Sequence, residues 1–162
     1  MIAKVGRITP EGALVEAESQ PIWVTISEWP WGEAMEGVQV RLRPDKAMFE
    51  AGEPVSLKAD IYNGGKSEVF GQQTKHGISQ LQFDNQWYEW GGGPVLGPPI
   101  APGGRVNDIP VPLDNIWMGE NKLNLSPGKH IIRVGLVGSR SQDSGAGAIM
   151  AVSNPVEIEI VP

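Results

Sequence analysis

The sequence predicts an all-β fold, a sandwich of antiparallel sheets, and three observations carry that expectation. Between Val38 and Gly65 two stretches alternate: Val38, Val40 and Leu42 against Gln39, Arg41 and Arg43, then Val55, Leu57, Ala59 and Ile61 against Ser56, Lys58, Asp60 and Tyr62. Period two marks a strand, and one apolar face opposite one polar face is how half-buried antiparallel sheets read. Second, 21 glycines and 14 prolines exceed a fifth of the 162 residues without a Gly-x-y period or a low-complexity tract. They punctuate many short strands. Third, turn signals recur roughly every ten residues from Val38 onward, which gives about seven or eight strands.

The chain opens with two β-like runs, Lys4 to Ile8 and Ala13 to Ala17, around Thr9-Pro10-Glu11-Gly12. Pro presets φ and Gly relaxes it, so a hairpin is expected. It is either an arm that pairs with a neighbour's sheet edge or an ordinary edge hairpin. A short strand, Pro21 to Ile26, leads to Glu28-Trp29-Pro30-Trp31-Gly32-Glu33. Its two tryptophans either stack on a ligand or a partner, or lid one open end of the sandwich. Residues 1–36 are thus an N-terminal hairpin, extended appendage and linker, and residues 37–162 the sandwich.

Within the sandwich, the connection from Pro44 to Pro54 is anchored by Met48 and Phe49, and Asn63-Gly64-Gly65 ends the second strand with residues that tolerate positive φ. Glu68 to Phe70 is a short strand. Ile78 to Phe83 and Gln86 to Trp90 form a hairpin turned by Asp84-Asn85, residues that enter left-handed backbone readily. Leu81 and Phe83 share a face, joined by Trp87 or Tyr88 according to register. Gly91 to Gly104 is a Gly/Pro connection, either a contact loop or a crossover between sheets. Pro110 and Pro112 push Arg105 to Leu113 toward a sheet edge. Asp114 to Leu125 has no clear pattern.

Ser126-Pro127-Gly128 turns the chain into its strongest strand, Lys129 to Gly138, where Ile132, Val134 and Leu136 alternate with Ile131, Arg133 and Val137. Both faces of that strand are therefore partly covered. Ser139 to Ala148 is a polar Gly/Ser-rich loop of mobile composition. Pro155 to Val161 closes the chain, with Val156, Ile158 and Ile160 inward and Glu157 and Glu159 outward.

This strand rhythm is immunoglobulin-like. The chain from Trp31 to Ile160 resembles immunoglobulin-like domains of uncharacterised, often multidomain bacterial proteins. The likeness rests on WGEAMEGVQVRLRPDK, AGEPVSLKADIYN, a Trp-Tyr strand, LSPGKHIIRV and VSNPVEIEI. A looser likeness, through IYNGG, WYEW, APGG and SPGKH, is to bacterial intracellular proteinase-inhibitor domains. It implies an inhibitor-like layout but identifies no inhibitory loop.

A net charge of −6 without a basic patch argues against a nucleic-acid partner. The absence of cysteine removes disulfides, thiolate nucleophiles and Cys-based zinc sites. No run of about 18 apolar residues suggests membrane insertion, and MIAKVGRITPEG lacks a signal-peptide core. A soluble chain is expected, cytoplasmic or exported as a processed or excised domain. The two histidines, His76 and His130, have no nucleophile motif beside them. His130 shares a strand face with Ile132 and Val134 and reads as a sheet residue. Glu157 and Glu159 read as solvated charges guarding an edge. Gly91-Gly92-Gly93 lacks the Lys-Ser/Thr and helix of a phosphate cradle.

No catalytic set, cofactor site or metal site is therefore expected. The function expected is that of a non-enzymatic module that binds a protein partner or copies of itself, through the N-terminal arm among other routes. A carbohydrate-binding module using exposed tryptophans and an inhibitor-like domain are the alternatives. The contact residues expected are Trp29, Trp31, Trp90 and Trp117, four of the six tryptophans.

Overall fold

The computed structural model describes residues 4–8, 14–18, 29–71, 78–92, 97–140 and 148–162. They form thirteen strands and no helix, so the fold is all-β and sandwich-like. The expected strand Pro21 to Ile26 and most of the Gly/Ser-rich loop after Ser139 lie outside the described residues.

The opening strands, β1 (Lys4–Ile8) and β2 (Leu14–Glu18), form an antiparallel hairpin in the register Lys4↔Glu18 to Ile8↔Leu14. The second strand sits one residue later than the apolar run suggests. The next elements are β3 (Val38–Pro44), β4 (Met48–Glu50), β5 (Ser56–Asn63), β6 (Phe70–Gly71), β7 (Ile78–Phe83) and β8 (Gln86–Trp90). They are followed by β9 (Arg105–Pro112), β10 (Trp117–Met118), β11 (Gly128–Ser139), β12 (Ala148–Val152) and β13 (Val156–Val161).

Two sheets are built from these. The small one has the order β3-β5-β9, and the large one runs β10-β8-β7-β11-β13-β4 with β6 and β12 also paired to β11. The residues between β8 and β9 therefore cross from the large sheet to the small one, the second of the two readings given for that Gly/Pro stretch. β9 pairs only with β5, so its two prolines do sit on an edge strand.

The hairpin between β7 and β8 follows from its turn. Asp84 has φ 48° and Asn85 φ 72°, both left-handed, as a two-residue turn matched to strand twist requires. That turn sets the register Leu81↔Tyr88, which sends Tyr88 into the core and Trp87 to solvent.

Among the described residues eleven strands run from Val38 onward, against the seven or eight expected; β4, β10 and β12 are the additions. The connection from Pro44 to Pro54 contains β4, which pairs parallel with the last strand through Met48↔Glu159 and Val161↔Glu50, so the sheets are not purely antiparallel. Of its two expected anchors only Phe49 is buried; Met48 is 53% exposed, because adjacent strand residues face opposite ways. β12 pairs with β11 from Gly135↔Val152 to Ser139↔Ala148 and continues the line of β13 along the same edge of β11.

The inward faces of both sheets meet in one core. The small sheet contributes Val40, Leu42, Leu57 and Ile61, and the large sheet Leu81, Ile132, Val134, Leu136 and Ile158. A side chain joins the sheets where no backbone pairing can. Buried Asn154, between β12 and β13, accepts the Leu42 amide at 2.9 Å and donates back to the Leu42 carbonyl at 3.2 Å. It pairs with the edge of β3 as another strand would.

Candidate functional site

A sandwich has two outer faces, and here they differ in what their side chains leave unsatisfied. On the small sheet the outward residues are Gln39, Arg41 and Arg43 of β3 with Lys58, Asp60 and Tyr62 of β5. Asp60 is fully buried by its neighbours. Its Oδ2 accepts Nε of Arg41 and of Arg43, each at 2.8 Å, and its Oδ1 accepts Nη2 of Arg43 and the Asp108 amide, each at 2.9 Å. The pairing of β5 with β9 shifts between Ala59 and Ile61, and opposite that shift Asp108 takes φ 58°, from where its amide meets Asp60.

Burial pushes the Asp60 carboxyl up, but hydrogen bonds from Arg43, the Asp108 amide and Arg41 outweigh it and hold the group below the usual carboxylate range. Hydrogen bonds to Asp60 and then Asp108 hold the proton of Arg43 more tightly than usual. Aromatic contacts cover part of the same face. The Arg41 guanidinium lies 4.6 Å from the Trp31 ring, Arg105 lies 4.9 Å from Tyr62, and Trp31 and Tyr62 are 6.2 Å apart. Gly32 makes this placement of Trp31 possible. Its amide donates to the Val40 carbonyl at 2.8 Å, and a Cβ there would stand 2.0 Å from the Val152 carbonyl oxygen.

The outer face of the large sheet is built differently. Register alignment gives one row across it of Met118, Glu89, Gln80, Gly135 and Val152, and a second row of Trp87, Gln82 and Arg133. Ile131, opposite Glu157, and Val137, opposite Met150, extend the face along β11. Four of the seven exposed large hydrophobic side chains among the described residues lie on it: Trp87 (39%), Met118 (64%), Ile131 (51%) and Met150 (41%).

Trp87 lies down on this face rather than standing on it. Its Cζ3 comes within 3.7 Å of where a Gly135 Cβ would be, although β7 separates β8 from β11. Two strand spacings are about 9.5 Å, so the indole must cross β7 to reach there. Gly135 provides the floor for the far edge of the ring. Arg133, half-buried in the middle of the face, and exposed Glu89 each have no ion-pair partner among the described residues. The nearby pair Lys129–Glu157, at 2.7 Å, is satisfied.

His130 offers the only chemically suggestive constellation among the described residues, and its geometry is that of a clamp. The ring stacks on Phe83 at 4.7 Å, with Nδ1 2.6 Å from Asp84 Oδ2 and Nε2 2.7 Å from the Ser126 carbonyl oxygen. A carbonyl can only accept, so Nε2 donates, and the carboxylate draws a second proton on Nδ1. No ring nitrogen is left to serve as a base. Burial lowers the ring's proton affinity, but the bonds to Asp84 and Ser126 overcome this and raise the pKa above its ordinary value. His76 lies outside the described residues.

Of the four tryptophans expected as contacts, the structure brings together Trp90 and Trp117. Trp29 is exposed. Trp31 is held against Arg41 and Tyr62, as above. Trp90 packs edge-on to Trp117 at 5.5 Å, and Trp117 is buried with its Nε1 donating to the Pro112 carbonyl at 2.8 Å. Trp117 therefore serves the core, because the short strand β10 turns it inward and Met118 outward. Sequence reasoning missed Trp87, Ile131, Arg133 and Met150 as surface residues. The available signal was the hairpin alternation, which frees Trp87 once Tyr88 is assigned inward.

A cleft of about 370 Å³ lies between Trp31, Glu33, Arg133, Val152 and Asn154, and another of about 300 Å³ between Glu50, Glu53, Leu113 and Ile160. Among the described residues no group of three or more histidines and carboxylates is placed to hold a metal ion. No described residue belongs to a helix, so none forms a helix able to cross a membrane. No protein-family model and no curated protein matches the chain.

Proposed function

We propose that this chain is a non-enzymatic immunoglobulin-like module that binds protein through the outer face of its large sheet. The single observation that carries the reading is the contrast in satisfaction. That face leaves Trp87, Met118, Ile131 and Met150 in water around Arg133, which has no ion-pair partner among the described residues. Protein interfaces are enriched in aromatic residues, Met and Arg at the centre, with other charges at the rim.

The immunoglobulin-like assignment draws on the strand order. β3-β5-β9 on one side and β8-β7-β11-β13 on the other correspond to the ABE and C′CFG sheets of such domains, with the crossover between β8 and β9 taking the place of the C′ to E connection. The non-enzymatic part draws on His130, both of whose nitrogens are engaged. A carbohydrate site built from a row of exposed rings has less support, since Trp117 is buried and Trp31 is occupied by Arg41.

The test is retention of partners from an extract of the source cells by immobilised full chain, with Trp87→Asp and Lys58→Glu as paired variants. Partners lost with Trp87→Asp and kept with Lys58→Glu support this face. Partners unaffected by Trp87→Asp, or no partner at all, count against it.

A further inference from the structure

We propose that the occupant of this face is a second copy of the chain, related by a two-fold axis that lies in the interface and exchanges Arg133 with Glu89. The inference rests on the reading of the face as protein-binding and names the partner. A closed two-fold contact requires a surface complementary to itself: whatever residue i meets, its partner must meet in return. This face meets that condition in charge. Arg133 of β11 and Glu89 of β8 both point outward, and neither has an ion-pair partner among the described residues.

The placement of the two charges fixes the axis. In the sheet grid, Trp87, Gln82 and Arg133 form one row and Glu89, Gln80 and Gly135 the next but one residue along. Trp87, Arg133, Gly135 and Glu89 are thus the corners of one cell, about 9.5 Å wide and about 7 Å tall. The indole of Trp87 fills one diagonal, reaching Gly135, while the two charges end the other.

An axis crossing the charged diagonal at its midpoint sets Arg133 over the partner copy's Glu89 and Glu89 over the partner copy's Arg133. The same axis brings the two Trp87 rings together at the centre. Around them Ile131, Met150, Val137 and Met118 supply apolar area, while Lys129 and Glu157 are already paired and stay at the rim. The arrangement places aromatic contact at the middle and two reciprocal ion pairs around it, each half-shielded from water by the facing sheet.

Sedimentation equilibrium of the full chain over a wide concentration range tests this, with Arg133→Glu, Glu89→Arg and the double reversal. The wild type is expected to dimerise, each single reversal to weaken the dimer at least about tenfold, and the double reversal to restore most of the loss, as a coupled pair must. Circular dichroism melts, run at a concentration low enough to keep every chain monomeric, check that the variants fold; under that condition all four chains should melt alike. A wild type that stays monomeric throughout overturns the proposal, as does a dimer indifferent to the single reversals or one not rescued by the double. If the chain is monomeric and still retains a partner that Trp87→Asp releases, the second-copy inference alone fails and the binding face stands.

Discussion

The two outer faces of this sandwich come from similar alternating strands, yet one closes on itself and the other does not. On the small sheet, Asp60 gathers four hydrogen bonds from Arg41, Arg43 and the Asp108 amide, and Trp31 lies against Arg41. On the large sheet, Gln80, Gln82, Arg133 and Glu89 surround a tryptophan that lies flat over a glycine. Polar composition alone does not distinguish a finished surface from an available one. What differs is whether charges at neighbouring register positions satisfy one another.

The largest expected effect would come from opening the closed face. Asp60→Ala strips two arginines and a backbone amide of their shared acceptor, and should cost about 3–5 kcal/mol, the range for breaking a buried charge pair. Urea unfolding at pH 7 with an unchanged slope would measure it. A loss below about 1 kcal/mol would mean that the network is no better satisfied than an ordinary surface pair. The same carboxylate predicts acid sensitivity. Its folded pKa lies below its unfolded value, so its stabilisation is complete above about pH 4 and is lost as pH falls through the folded value. Asp60→Ala should flatten that part of the stability–pH curve.

His130 lies inside the large sheet and should respond in the opposite direction. Its folded pKa is raised above 6.5, so its contribution is full below that pH and declines as pH rises through the folded value. His130→Gln should cost on the order of 1 kcal/mol at pH 6 and remove the decline on the alkaline side. A stability curve of the same shape in both chains would exclude the doubly donating ring.

Smaller still is the effect expected at the open face. Trp87→Ala should cost roughly 1 kcal/mol or less, because the part of the ring that is buried lies on the sheet surface rather than in the core, while abolishing association. Gly135→Ala falls between the two. Its methyl would stand 3.2 Å from Gln80 Cβ and in contact with the Trp87 ring, so it should weaken association more than folding.

How far the sequence revealed this follows from where each signal resides. β7 and β8 were readable to the residue because Asp84-Asn85 encodes its own backbone and fixes the register. β13 was readable because Val156, Ile158 and Ile160 alternate with two glutamates. β4 was hidden, since three residues in a Pro- and Gly-flanked stretch carry no period and their pairing partner is more than a hundred positions away. In β12 every residue is apolar, so Ala148–Val152 shows no alternation of hydropathy.

Asp60 was read correctly as outward-facing, but its burial depends on two arginine side chains folding over it, which alternation cannot express. The expected contacts Trp29, Trp31, Trp90 and Trp117 sit in loops and at strand ends, whereas the ring in water on the large sheet, Trp87, lies inside a regular strand whose alternation alone does not say which face is covered.

That the large sheet's outer face is covered by a second copy of the chain can be tested most directly by hydroxyl-radical footprinting of the full chain at low and high concentration. Trp87, Met118, Ile131 and Met150 should become protected as concentration rises, while Met35 and Met48, equally exposed but elsewhere, react alike at both. Unchanged reactivity of the four, or protection that falls on Met48 instead, would contradict it.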